Sequence, residues 1–123
     1  MNYLLDTNVV SELVTKRPNE KVVEWVRSVD EENLFLSVIT IGEIQKGVEK
    51  LPESSRKDEL TAWLKDDLLA RFENRLVEID AAVMLEWGRL AAQLELAGKP
   101  MSAIDSLLAA SALWGGLVLV TRN

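Results

Sequence analysis

Residues 4–8 read LLDTN. Two leucines run into an aspartate, a threonine and an asparagine, and Val9-Val10 then resume the apolar text. A short apolar run that ends on a carboxylate has two readings. Either Asp6 serves the start of the next helix, or it is the first member of an active site at a strand end. The choice depends on where the other carboxylates fall, and so on the fold.

Working outward, Asn2–Leu5 reads as a buried strand. Asn8 reads as the cap of a first helix to about Val14, interrupted by Lys16-Arg17-Pro18-Asn19. A second helix opens at Pro18-Asn19 and runs to Val29. Leu34–Ser37 is a second strand, followed by a helix from Thr40 to Leu51. After Pro52, an amphipathic helix spans Ser55 to Phe72, carrying Leu60, Trp63, Leu64 and Leu68. Leu76–Ile79 is a third strand, and Asp80 caps a helix that ends at Gly98-Lys99-Pro100. Ser102 to about Trp114 is nearly all apolar; Gly115-Gly116 stops it, and Leu117–Val120 is a fourth strand. Short strands alternating with helices predict a three-layer α/β/α sandwich on a mainly parallel sheet, whose ligands sit outside the carboxyl ends of the strands.

At 123 residues the chain reads as one domain. It has no cysteine and no histidine, which removes disulfides, thiolate metal sites, histidine acid–base chemistry and the usual zinc ligands. No apolar run approaches the ~20 residues of a membrane helix, and the start lacks a signal pattern, so a cytoplasmic protein is expected. The net charge of −6 argues against a generic nucleic-acid coat but not against a nuclease that carries its positive charge as bound divalent ions.

Three acids stand out by position: Asp6 after the first strand, Glu43 early in the helix after the second, and Asp105 at the start of the apolar helix before the fourth. Each has an ordinary reading alone: helix-start acids for Asp6 and Asp105, and pairing with Lys46 or Lys50 for Glu43. Together they suggest more. A helix that is apolar all round is buried, so Asp105 is expected to point inward, where a carboxylate needs a partner or a metal. A group of acids without histidine suits Mg²⁺ or Mn²⁺, which prefer oxygen ligands and activate water against phosphodiesters.

The stretches LLDTNVVSEL, SVITIGEIQKGVEKL, AIDSLLAASAL and LVLVTRN resemble, in order and from end to end, the motifs of PIN-domain ribonucleases, and most of all VapC-type toxins of toxin–antitoxin pairs. The resemblance implies Mg²⁺/Mn²⁺-dependent endonucleolytic cleavage of RNA and inhibition by a cognate antitoxin. It maps the family's first three acids onto Asp6, Glu43 and Asp105, its fourth acidic position onto Asn123, and its nearby hydroxyl onto Thr121. Asparagine at 123 offers a carbonyl oxygen but no charge, making it a weak ligand. Relatives continue into a short final strand beyond this point, so the chain reads as truncated. In this scheme Asp6 binds metal, Thr7 shapes the turn, and Asn8 caps the helix and steadies Asp6.

Lys46 and Lys50 share a helical stripe with Glu43 and read either as RNA phosphate contacts or as a solvated face. The four tryptophans, Trp25, Trp63, Trp87 and Trp114, read as core or subunit interface. The resemblance and the apolar surface of the helices suggest a homodimer, with a toxin–antitoxin hetero-oligomer above it. Three rivals stand beside the nuclease. An aspartyl-phosphate phosphatase resembles D-x-D, whereas Asn8 holds the second position here. A phospho-acceptor receiver domain needs a lysine after its last strand, whereas this chain has Thr121-Arg122-Asn123. The third is a PIN fold kept mainly to bind an antitoxin.

Overall fold

The computed structural model describes residues 1–122. Asn123, the expected weak fourth ligand, lies outside them. Four strands, β1 (Tyr3–Leu5), β2 (Leu34–Ser37), β3 (Leu76–Val77) and β4 (Val118–Val120), form one sheet of order β3-β2-β1-β4 with every pairing parallel. The helices are α1 (Thr7–Glu12), α2 (Glu20–Ser28), α3 (Val38–Glu49), α4 (Ser55–Ala62), α5 (Leu69–Arg71), α6 (Ala81–Leu96) and α7 (Ala103–Gly115).

Strand alternation sorts the core into two. Leu5, Leu34 and Leu36 pack on one face with Val9, Val10, Val26, Ile44, Val48, Leu64, Leu68 and Phe72. Leu4 packs on the other with Leu108 and Ala112, joined by Phe35, Val77 and Leu119. Helices therefore cover both faces, which is the expected three-layer sandwich. Both faces of β1 are buried, and its residues Leu4 and Leu5 are fully inaccessible to solvent.

Several boundaries differ from expectation for identifiable reasons. The helix cap after β1 is Asp6 rather than Asn8, because Asp6 is the single residue between β1 and α1. Ser37 does the same after β2, its hydroxyl accepting from Ile39 N–H at 3.0 Å, so α3 starts two residues before Thr40. The helix expected over 55–72 is continuous but changes character, with a π-helical stretch at Trp63–Leu68 between α4 and α5. β3 is two residues long, Leu76 and Val77 pairing with Leu36 and Ser37, and the Arg75 carbonyl accepts Leu36 N–H at 3.1 Å just before it. Helix α7 ends at Gly116, whose φ of 66° suits glycine.

Glu12, which the sequence did not mark, ties three segments together. It is buried in α1; one carboxylate oxygen accepts Asn19 N–H at 2.7 Å and the other accepts Arg122 Nη1 at 2.9 Å. The Asn19 backbone bond first, and Arg122 second, hold the Glu12 carboxyl below its usual range. A depressed folded-state pKa gives stability that is complete above the unfolded value of about 4.3 and is lost as pH falls through the folded value. Glu12→Gln is therefore expected to melt below wild type near neutral pH, and the gap should close as pH drops below about 4. A constant gap from pH 7 to pH 3 would show that the carboxylate charge plays no part.

Candidate functional site

The strand order reverses at β1: the chain steps from β1 to β2 and β3 on one side, then returns to place β4 on the other. In open parallel sheets the crevice forms at such a switch point, outside the strands' carboxyl ends. Asp6 stands there. Its N–H donates to Val120 carbonyl at 2.9 Å, extending the β1–β4 ladder, and its Oδ1 accepts Thr7 N–H at 2.7 Å. Asp6 is half-buried, and among the described residues its Oδ2 has no hydrogen-bond partner.

Thr7 connects Asp6 to α3. Its hydroxyl donates to Glu43 Oε1 at 2.5 Å and lies 3.1 Å from the hydroxyl of Thr40, which is fully buried. Thr40 and Glu43 are one helical turn apart, so both face α1. A hydroxyl relay thus fixes one oxygen of Glu43 beside Asp6's neighbour. Thr7 does more than shape a turn: it orients the second acid. Glu43 lies between two openings. One, of about 200 Å³, is lined by Thr7, Ser11, Gly47, Val48, Leu60 and Trp63 among others. The second is a cleft of about 370 Å³ lined by Ile39, Gly42, Glu43, Lys46 and Ile104.

Asp105 is placed differently from expectation. It is exposed, and the buried residues of α7 are Ser106, Leu108, Ala110, Ser111 and Ala112. The helix is less buried than its composition implies, since Ile104, Leu113 and Trp114 also reach solvent. Asp105 N–H donates to the Ser102 cap at 3.2 Å, leaving the carboxylate in the first turn, where the helix dipole favours it. Its neighbour Ile104 lines the Glu43 cleft, so the start of α7 borders the site.

Asn8 holds the exit of β4. Its Nδ2 donates to Thr121 Oγ1 at 3.3 Å and its Oδ1 accepts Arg122 N–H at 3.2 Å. Lys46 lines the cleft with Glu43, whereas Lys50 is exposed at the end of α3. Trp63 borders the first opening, Trp25 packs edge-on against Tyr3, Trp87 donates to Ser106 Oγ at 2.9 Å, and Trp114 is 55% exposed.

The donors suit a hard cation in kind, being carboxylate and hydroxyl oxygens only. Among the described residues no three acids lie close enough together to enclose an ion. What fits is an ion such as Mg²⁺, which takes one or two carboxylates and completes its octahedron with water and substrate phosphate. Asp6 and Glu43, each with one oxygen fixed through Thr7 and, among the described residues, one uncommitted, supply such a pair.

A family model described as the PIN domain matches residues 3–123. Among curated proteins, the chain is 36% identical to plasmid stability protein StbB of Pseudomonas syringae pv. tomato and 35% identical to toxin FitB of Neisseria gonorrhoeae. Each match covers 98% of this chain and 86% of the relative. It is 31% identical to VapC ribonuclease Y4jK of Sinorhizobium fredii over the same shares. Among solved structures, that of FitAcB from Neisseria gonorrhoeae superposes with a TM-score of 0.93 at 35% identity, covering 98% of this chain and 87% of that one.

The relay makes Thr7 and Glu43 energetically dependent on each other. In a double-mutant cycle of Thr7→Val and Glu43→Ala read by urea denaturation, a coupling of about 0.5–3 kcal/mol is expected. Additive losses would mean that the contact contributes nothing.

Proposed function

The chain belongs to the PIN-domain family, and on that premise we propose that it is a metal-dependent endoribonuclease, the toxin of a toxin–antitoxin pair. The observation that carries this reading is the pair of carboxylates, Asp6 and Glu43, joined through Thr7 at the switch point of a PIN sheet. The ribonuclease name of the Sinorhizobium relative and the toxin name of the Neisseria one support it.

In this reading Asp6 and Glu43 would hold a Mg²⁺ or Mn²⁺ ion between them, and the family resemblance, rather than their present spacing, adds Asp105 at the bordering start of α7 as a third ligand and Asn123 as a weak fourth. Such an ion, when bound, makes a water nucleophilic near neutral pH and offsets charge on the phosphodiester. The protein's part is positional. Thr7 and Thr40 orient Glu43, the Asp6 peptide is anchored to β4, and Asn8 and Thr121 hold the strand exit. Lys46, in the cleft beside Glu43, is placed to meet a phosphate of RNA, and Lys50 less directly so. The half-buried acids on a protein of net charge −6 suit a basic antitoxin segment that places an arginine against them. Met84, Leu85, Met101, Ile104, Leu113 and Trp114, exposed on α6, α7 and their connection, support a homodimer, with the antitoxin completing a hetero-oligomer. A cytoplasmic site of action belongs to the same proposal.

The exposure of Asp105 favours one second reading, a PIN module that mainly binds its antitoxin. Metal distinguishes the two. For the enzyme, Mn²⁺ at about 100 times its Kd stabilises the fold by about 2.7 kcal/mol; a pure binding module gains nothing.

RNA cleavage is expected with Mg²⁺ or Mn²⁺ and not in EDTA; cleavage unchanged in excess EDTA refutes the metal mechanism. Asp6→Asn and Glu43→Gln should each reduce the rate by more than the about 10–100-fold that loss of an outer partner costs. Asp105→Asn should also lose cleavage while melting no lower than wild type in EDTA. An active Asp105→Asn variant removes that residue from the site. Light scattering at micromolar concentration should give a dimer.

A further inference from the structure

On the far side of α1 from Glu43 is a cavity of about 250 Å³ that the site described above does not use. Val9, Val22 and Val120 supply apolar wall, and Trp25, Lys21, Thr121 and Arg122 the rest. We propose that it is a nucleotide subsite for single-stranded RNA, with a base against the Trp25 indole and the adjoining phosphate between Lys21 and Arg122. The proposal rests on the ribonuclease reading and adds where the substrate is held beside the cleaved bond.

Position is the first support. Val120, in the cavity wall, accepts the Asp6 N–H, so the cavity begins at the residue paired with the first acid. Asn8 bonds both Thr121 and Arg122 N–H, so the same α1 residue joins the cavity's rim to the site.

Charge is the second. A chain of net charge −6 that takes a polyanion must concentrate cations locally. Helix α2 is sorted in this way. Lys21, Val22 and Trp25 line the cavity, whereas Glu20 and Glu24 line a separate cleft with Pro18, Val23 and Arg27. Among the described residues Lys21 has no ion-pair partner. Among the described residues the Arg122 guanidinium is held by Glu12 through Nη1, with Nε and Nη2 left to donate to a phosphate. Arg122 is paired with Glu12, so among the described residues Lys21 supplies the uncompensated charge on this rim, which favours an RNA phosphate over the basic segment expected of an antitoxin.

The third is the aromatic surface. Trp25 is half-buried and held by a T-shaped contact with Tyr3, ring centroids 5.0 Å apart at 89°. A fixed indole beside cations is the usual way to take an unpaired base without reading its sequence.

The test measures RNA affinity in EDTA, by anisotropy of a short labelled single strand, so that binding is read apart from cleavage. Stacking of about 1–3 kcal/mol per base corresponds to a loss of about 5–150-fold for Trp25→Leu, and Trp25→Tyr should recover most of it. Lys21→Glu, at an exposed position, should weaken binding at least about 5-fold and flatten the dependence of log K on log salt by about one contact. Adenosine 5′-monophosphate should shift the Trp25 indole N–H resonance in wild type. Wild-type affinity in both Lys21→Glu and Trp25→Leu, in a protein that cleaves RNA, overturns the subsite and leaves the ribonuclease reading intact. Unchanged RNA affinity with lost antitoxin binding assigns the cavity to the protein partner and also overturns it. A wild type that neither binds nor cleaves RNA removes both.

Discussion

The peptide unit at Asp6 is the constraint from which the rest of the carboxyl edge follows. Its N–H completes the β1–β4 ladder, its carbonyl accepts Val9 and Val10 N–H at 3.0 and 3.2 Å to begin α1, and its carboxylate caps that helix. One residue thus belongs to sheet, helix and site at once, with no loop to absorb an error. Helical geometry does the rest. Thr7 turns toward α3 and Glu43, while Asn8 and Glu12, four residues apart, turn together toward the exit of β4.

Much of this was legible in the sequence, and the reason is physical. Strands of three or four mostly apolar residues that end at Asp6 or Ser37, and a helix stopped by Gly116, leave little choice of period or length. The caps at Asn19, Asp80 and Ser102 were readable because each is a short polar residue just ahead of an apolar pattern. The boundary after β1 was not, since Asp6, Thr7 and Asn8 are all good caps and only the pairing of Asp6 with Val120 selects the first. The site was partly legible. The closeness of Asp6 and Glu43 could be inferred from topology, but the hydroxyl relay through Thr7 to the buried Thr40 needs three-dimensional contact. The burial of Asp105 was misjudged because composition cannot tell a helix buried on all sides from one that keeps an apolar face exposed. Glu12 gave one signal, a carboxylate among Val9, Val10 and Leu13 in a short helix, which is where a buried acid needs partners.

The two cores differ in texture. The side that carries the site is packed with Leu, Val, Ile and Phe72, whereas α7 offers small residues, with Ala110, Ser111 and Ala112 at most 5% exposed. Its buried hydroxyls are used: Ser111 donates to Leu107 carbonyl at 2.8 Å and Ser106 to Ser102 carbonyl at 2.8 Å while accepting from Trp87. Small side chains let α6 lie close to α7, and the hydrogen bonds keep that approach from stranding polar atoms. The acid-bearing face is thus held by bulk, and the opposite face by fit.

The π-helical stretch at Trp63–Leu68 has a consequence for phase. Leu60, Leu64, Leu68 and Phe72 recur every four residues, and the last three are at most 2% exposed. An α-helix turns about 100° per residue, so a strict four-residue repeat precesses by about 40° each time and would carry Phe72 about 120° around the axis from Leu60. Widening the turn over six residues unwinds the helix and cancels part of that precession. Phe72 then stays aimed at the sheet, where Arg75 lies over its ring at 4.6 Å. The stretch works as a gear correction between a four-residue sequence rhythm and a 3.6-residue helix. Deleting one residue within it would restore ideal winding and leave everything downstream, β3 included, nearly in mesh, because five α-helical residues turn about as far as six π-helical ones.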